Sequence, residues 1–188
     1  VYEPIYVAKT NSDGTASSNT SGDGTLATPY LTIQKAINES SDGDKIYVLP
    51  GTYEEGELDF ETTANSGVYK SVYIASDFVR LNDPNAITST VIDADGEQYL
   101  IDITGSNSST IQGFTFTGQE AGSDWESSVL RLHNGANLTF KDLIIRDNSP
   151  NNNAREAQVM NVRYSSHPIF ENVVFKDNGS QNNQTRKT

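Results

Sequence analysis

Residues 140–148 read FKDLIIRDN and residues 170–178 read FENVVFKDN. Both run from Phe through a short apolar stretch to a cation and an Asp-Asn pair, thirty positions apart (170 − 140 = 30). A period of 20–50 residues marks a stacked architecture and has to be followed along the chain before any local reading. Upstream, IQGFTFTGQ at 111–119 aligns with the first copy, pairing Phe114 with Leu143 and Phe116 with Ile145 at an offset of 29. The apolar pairs preceding each copy keep the step: Ile101 and Ile103, then Leu130 and Leu132, then Met160 and Val162.

Each unit therefore holds short stretches with period-two alternation, joined by Gly, Asn, Asp and Ser turns. Alternation at two puts successive side chains on opposite faces of a strand. Three such strands per repeat describe a coil that cannot bury its apolar edge alone but stacks on the next at ~4.8 Å. The expected fold is all-β, a right-handed parallel β-helix of three-strand coils without helices between them. Its core is expected to be columns of like residues: Ile101/Leu130/Met160, Ile103/Leu132/Val162, Ile111/Phe140/Phe170, Phe114/Leu143/Val173 and Phe116/Ile145/Phe175. A leucine-rich repeat shares the period but needs a helical or 3₁₀ segment and a Leu/Asn template that this chain lacks.

The bulk numbers agree with a narrow core wrapped in polar turns. Among 188 residues, 35% are hydrophobic, and mean hydropathy is −0.54. The net charge of −12 disfavours binding to nucleic acid. No run approaches the ~18 apolar residues of a membrane span, so membrane insertion is not expected. Cys is absent, which removes disulfides and thiolate metal sites.

At the N-terminal side, Thr32 is placed to cap a helix in which Ile33, Ala36 and Ile37 share one face. SSDGD at 40–44 ends that helix and turns into a strand at Ile46–Val48. The stretch SGDGTLATPYLTIQKAINESSDGDKIYVLPGTYEE (21–55) resembles the entry segment of right-handed parallel β-helix proteins of the pectate-lyase-like superfamily. Residues 1–44 read as strand, loop and capping helix, and 45–188 as coils. The polar tail GSQNNQTRKT offers no matching cap. The expectation is the N-terminal part of a longer solenoid, with further coils beyond residue 188.

Chemistry is expected on the outer surface. Trp125 lies in an acidic loop, where an indole suits stacking on a sugar ring or anchoring of its own loop. Thr115, Ile144 and Val174 would form one exposed row on the third strand, and Thr117, Arg146 and Lys176 the next. Arg146 and Lys176 would stand one rung apart, each followed by an aspartate, Asp147 and Asp177. Such neighbouring columns either bind an acidic polysaccharide or neutralise one another on a solvated face. In the lyases this superfamily contains, a Lys or Arg removes the proton α to a uronate carboxylate while carboxylate-bound calcium holds the substrate. The resemblance thus makes Lys176 and Arg146 candidate bases, with Asp147 and Asp177 as candidate catalytic or calcium-binding acids. Asp13 and Asp23, in NSDGTASSNTSGDG, are further calcium candidates. Asn148 and Asn178 are expected to form a side-chain amide ladder. His133 and His167 read as surface histidines.

Three functions follow as expectations. The first is a secreted or cell-surface module presenting a rigid face to a polysaccharide or partner without catalysis in this segment. The second is the N-terminal part of a polysaccharide lyase or glycoside hydrolase. The third is an adhesin stalk.

Overall fold

The computed structural model describes residues 3–63, 66–120, 127–149 and 159–179. It is mostly parallel β-sheet, with strands β1 (Ile5–Val7), β2 (Lys45–Val48), β3 (Gly51–Glu54), β4 (Tyr73–Ser76), β5 (Thr90–Asp93) and β6 (Ile101–Ile103). β7 (Thr110–Gln112), β8 (Thr115–Thr117), β9 (Leu130–Leu132), β10 (Thr139–Arg146), β11 (Met160–Val162) and β12 (Ile169–Lys176) follow. Helix α1 spans Ile33–Glu39, and two single-turn helices, α2 (Asp77–Leu81) and α3 (Asn85–Ser89), separate β4 from β5.

The strands stack in three parallel columns. One runs β1-β2-β4-β7 onto the first half of β10, and a second runs β3-β5-β8 onto its second half. β12 pairs β10 along its whole length, and β6, β9 and β11 form the third column. The repeat offsets read from the sequence are the hydrogen-bonding registers: Ile101 faces Leu130, Leu130 faces Met160, Phe140 faces Ile111 and Phe170, and Phe116 faces Ile145. In-register parallel stacking puts like side chains over one another, so the inward columns are mostly apolar, with Ser76 and Thr90 as buried polar members. Ile46, Ile74, Ile111 and Phe140 are fully buried in one column, and Tyr53, Ile92, Phe116 and Ile145 in the next. Phe140 and Phe170 stack at 5.2 Å and 12° between ring planes.

Left-handed corners join the columns. Gly113, Asp142 and Asn172 occupy equivalent positions at φ +86°, +51° and +53°. Asp and Asn tolerate this region better than other residues with a side chain, because their short polar groups bond locally. Only glycine fits at the first of these corners, since a Cβ on Gly113 would lie 2.5 Å from Ser76 Oγ and 3.0 Å from Phe78 Cβ.

At one end, Thr32 caps α1 by accepting from the Lys35 amide (3.2 Å). Glu55 accepts from the amides of Ile33 (2.6 Å) and Gln34 (3.0 Å), tying the helix to the segment after β3. Ile33, Ala36 and Ile37 are buried on its inner face, as their spacing predicts.

Three expectations are corrected. Helices do interrupt the strand succession, at α2 and α3; five residues each are too few to show an amphipathic period. Thr115 is buried rather than exposed, because α3 lies over it and its hydroxyl donates to the Ile87 carbonyl (2.9 Å). His133 is also buried, 3.2 Å from Asn161 Oδ1, with the Tyr164 ring edge-on at 5.5 Å.

Candidate functional site

The Asp-Asn pairs that close β10 and β12 divide their work. Asp147 and Asp177 hold left-handed corners at φ +56° and +52°, where the preceding repeat carries Gly118 at φ +76°. Each following Asn turns inward. Asn148 is buried; its Oδ1 accepts from the Gln119 amide (3.0 Å) and its Nδ2 donates to the Arg146 carbonyl (2.9 Å) and to Asn178 Oδ1 (2.9 Å). Asn178 donates onward to the Ile145 carbonyl (2.8 Å). This is the expected amide ladder, and it satisfies backbone groups that the corners expose.

Arg146 and Lys176 are register partners on adjacent strands. Arg146 is paired with its own neighbour Asp147, side chain to side chain. A guanidinium keeps its proton at any ordinary pH, so Arg146 in this pair is a charge rather than a base. Trp125 lies outside the described residues. Asp13 accepts from the Thr15 amide (2.9 Å) and hydroxyl (2.6 Å). Asp23 accepts from Thr25 and Thr28, and these bonds, that from the Thr28 hydroxyl first, lower its pKa to about 2. Both aspartates fasten their own loops. Among the described residues, no group of three or more His, Asp or Glu is arranged to hold a metal ion.

A second polar cluster sits on the outward side of the third column. Asp102 and Arg131 are register partners joined by a two-pronged ion pair, and Arg131 also donates to the Tyr99 hydroxyl (2.8 Å) while its guanidinium lies 4.2 Å from that ring's centroid. Glu57 stands nearby, one residue before the Leu58–Ile101 bridge. Partial desolvation of its carboxyl, then the Asp102 charge, raise its pKa to about 7 although the residue as a whole reaches solvent.

The outward side of the first column carries a third feature. Tyr6 and Tyr47 are register partners on β1 and β2, with ring centroids 5.9 Å apart and planes tilted by 36°. On β4, Ala75 takes the place opposite Tyr47, and the aromatic side chain moves two residues back to Tyr73, opposite Lys45. Tyr73 donates to Gln112 Oε1 (2.8 Å), Gln112 donates to Asp142 Oδ2 (2.8 Å), and Asn172 donates to Asp142 Oδ1 (2.7 Å). All three tyrosines are half-buried. Beside Tyr73 is a shallow depression lined in part by Asp42, Ser71, Ser108 and Thr110. Arg80 of α2 flanks the tyrosines, held by both oxygens of the buried Asp77 (2.8 and 3.0 Å). Lys141 is tied to Glu171 at 2.6 Å. The result is an aromatic strip continued by a hydrogen-bonded polar chain across successive strands.

The tyrosines escape sequence reading because Tyr6 and Tyr47 are 41 positions apart (47 − 6 = 41), outside the 29–30 step. The available signal was the outward parity of Tyr47 between Ile46 and Val48. Comparison with protein-family models, with curated proteins and with solved structures finds no match for this chain.

Proposed function

We propose that the chain is a non-catalytic module, a parallel β-helix of the pectate-lyase-like kind, that presents a rigid outer face to polysaccharide. The observation that carries this reading is the strip Tyr6–Tyr47–Tyr73–Gln112–Asp142–Asn172, in which a register pair of tyrosines is followed by a third tyrosine and a hydrogen-bonded polar chain on the neighbouring strands. Glycan sites combine flat apolar surface with a few fixed polar groups, and half-buried tyrosine supplies both at low entropic cost. A parallel stack also fixes the spacing of those groups without any loop having to order on binding. Such a module works outside the cell or on its surface, where polysaccharide is met. The exposed apolar side of β12 suits a further coil of the same kind.

The test is binding of the whole chain to a panel of acidic and neutral polysaccharides by affinity electrophoresis. Retardation by at least one polymer, reversed by its soluble oligosaccharides, is expected; retardation by none overturns the reading.

One observation favours a glycoside hydrolase as the second reading. Glu57 retains a proton to about pH 7 beside Asp102, which is ion-paired with Arg131. A carboxyl held protonated near neutrality beside a second carboxyl is what acid-assisted glycoside cleavage uses. Release of reducing ends by the wild-type chain, abolished in Glu57→Gln, would establish that reading against the first.

A further inference from the structure

The tyrosine strip says more about its ligand than that it is a glycan. Resting on the reading above, we propose that it takes a neutral polysaccharide, laid across the strands over Tyr6, Tyr47 and Tyr73, rather than a polyuronate.

The direction follows from register. Tyr6, Tyr47 and Tyr73 come from three strands that are neighbours in one parallel column, so a ligand touching all of them crosses the strands. Successive parallel strands are ~4.8 Å apart, a spacing that favours an extended polymer over a compact ligand. The rings are held in place: Tyr6 and Tyr47 rest against one another, and the Tyr73 hydroxyl is committed to Gln112. What remains for a ligand is the exposed part of each half-buried ring, apolar surface of the kind that packs on the C–H side of a sugar.

The choice of a neutral ligand follows from charge. Arg80 is already bidentate to Asp77, and Lys141 is already paired with Glu171. The other cation bordering the strip is Lys45, opposite Tyr73, while Asp142 adds an acid on the same face. With Asp42 of the neighbouring depression, the acids here (Asp42, Asp77, Asp142, Glu171) outnumber the cations (Lys45, Arg80, Lys141) by one, within a chain of net charge −12. A polyuronate would have to break existing ion pairs and approach against the overall field, both costly. A neutral chain needs only hydrogen bonds, and Gln112, Asp142 and the hydroxyls of the neighbouring depression offer them.

The experiment is affinity electrophoresis and calorimetry of the whole chain with xylan, mixed-linkage β-glucan and glucomannan in one arm and polygalacturonate and alginate in the other. Tyr47→Ala and Tyr47→Leu are compared with wild type; leucine keeps apolar bulk in the strip but has no aromatic face. At least one neutral polymer is expected to bind, with affinity reduced about tenfold in both variants, and a double Arg146→Ala/Lys176→Ala variant is expected to bind as wild type does. Binding confined to the polyuronates, or neutral binding that both Tyr47 variants retain in full, overturns this inference while leaving the polysaccharide reading intact. Binding to neither arm removes both.

Discussion

At the β1 end of the stack, Ile46 and Val48 are fully buried. Backbone bonds from the 24–30 segment occupy the edge of β1, with Tyr6 donating to the Gly24 carbonyl (2.7 Å) and Ala8 to the Tyr30 carbonyl (3.0 Å), and α1 packs over the end. At β12, the same inward columns carry Phe170, only partly buried, and Phe175, 42% exposed, beside Val174 at 49% and Ile169 at 52%. Among the described residues, β12 pairs β10 alone. The two ends have the same kind of sequence and different burial. In a stack of parallel strands, a residue's burial comes from the strands on both sides as much as from its own apolarity, so a strand paired on one side among the described residues gains only part of the ~1.5–3 kcal/mol that a fully buried large side chain contributes.

That contrast can be broken or sharpened by mutation. The largest effect is expected from Phe140→Ala, at about 3–5 kcal/mol lost, because the ring is fully enclosed between Ile111 and Phe170. Phe170→Ala is expected to cost about 1 kcal/mol at the equivalent position, since that ring is only partly buried. Denaturant midpoints with an unchanged slope would measure both, and equal costs would remove the contrast. Next comes the ladder. Asn148→Ala orphans the Gln119 amide and the Arg146 carbonyl in a buried corner, for about 2 kcal/mol, while Asn178→Ala, one rung nearer the open end, should cost about half as much.

At the closed end, Thr32→Ala removes the α1 cap and is expected to lower stability by about 1 kcal/mol, read as a shift of the thermal midpoint. The smallest effect concerns pH. Glu57 is raised from its ordinary value of 4.5 to about 7 in the folded chain. The folded state thus keeps a proton that the unfolded chain has released, and stability from this group is lost as pH rises from 4.5 through 7. Glu57→Gln should flatten that slope and gain about 1 kcal/mol or less at pH 8, the figure being discounted for solvent screening. An identical pH profile in wild type and variant would show that Glu57 is not perturbed.

Parallel stacking was legible because it is written in apolar spacing. Phe140 and Phe170, or Leu130 and Met160, declare their register through position alone. The chemical meaning of polar residues at the same spacing was not legible. Asp147 and Asp177 have the composition of a catalytic or calcium-binding pair, yet their constraint lies in the backbone, at left-handed corners where glycine serves in the preceding repeat. A side chain chosen for its tolerance of positive φ cannot be told by its letter from one chosen for its charge. Thr115 differs from its expected exposure for another reason: alternation sets its face outward, but α3 covers that face. Tyr6 and Tyr47 were missed because a loop and α1 intervene, so that no fixed period links the two strands.

Native-state hydrogen exchange on the described strands tests the central claim most directly, because protection reports how each strand is covered. The account predicts the slowest amides at Tyr47, Val48 and Ile74, intermediate protection along β10, and exchange faster by at least about a hundredfold at Val174 and Phe175. Uniform protection from β2 to β12, or the fastest exchange at β2, would contradict it.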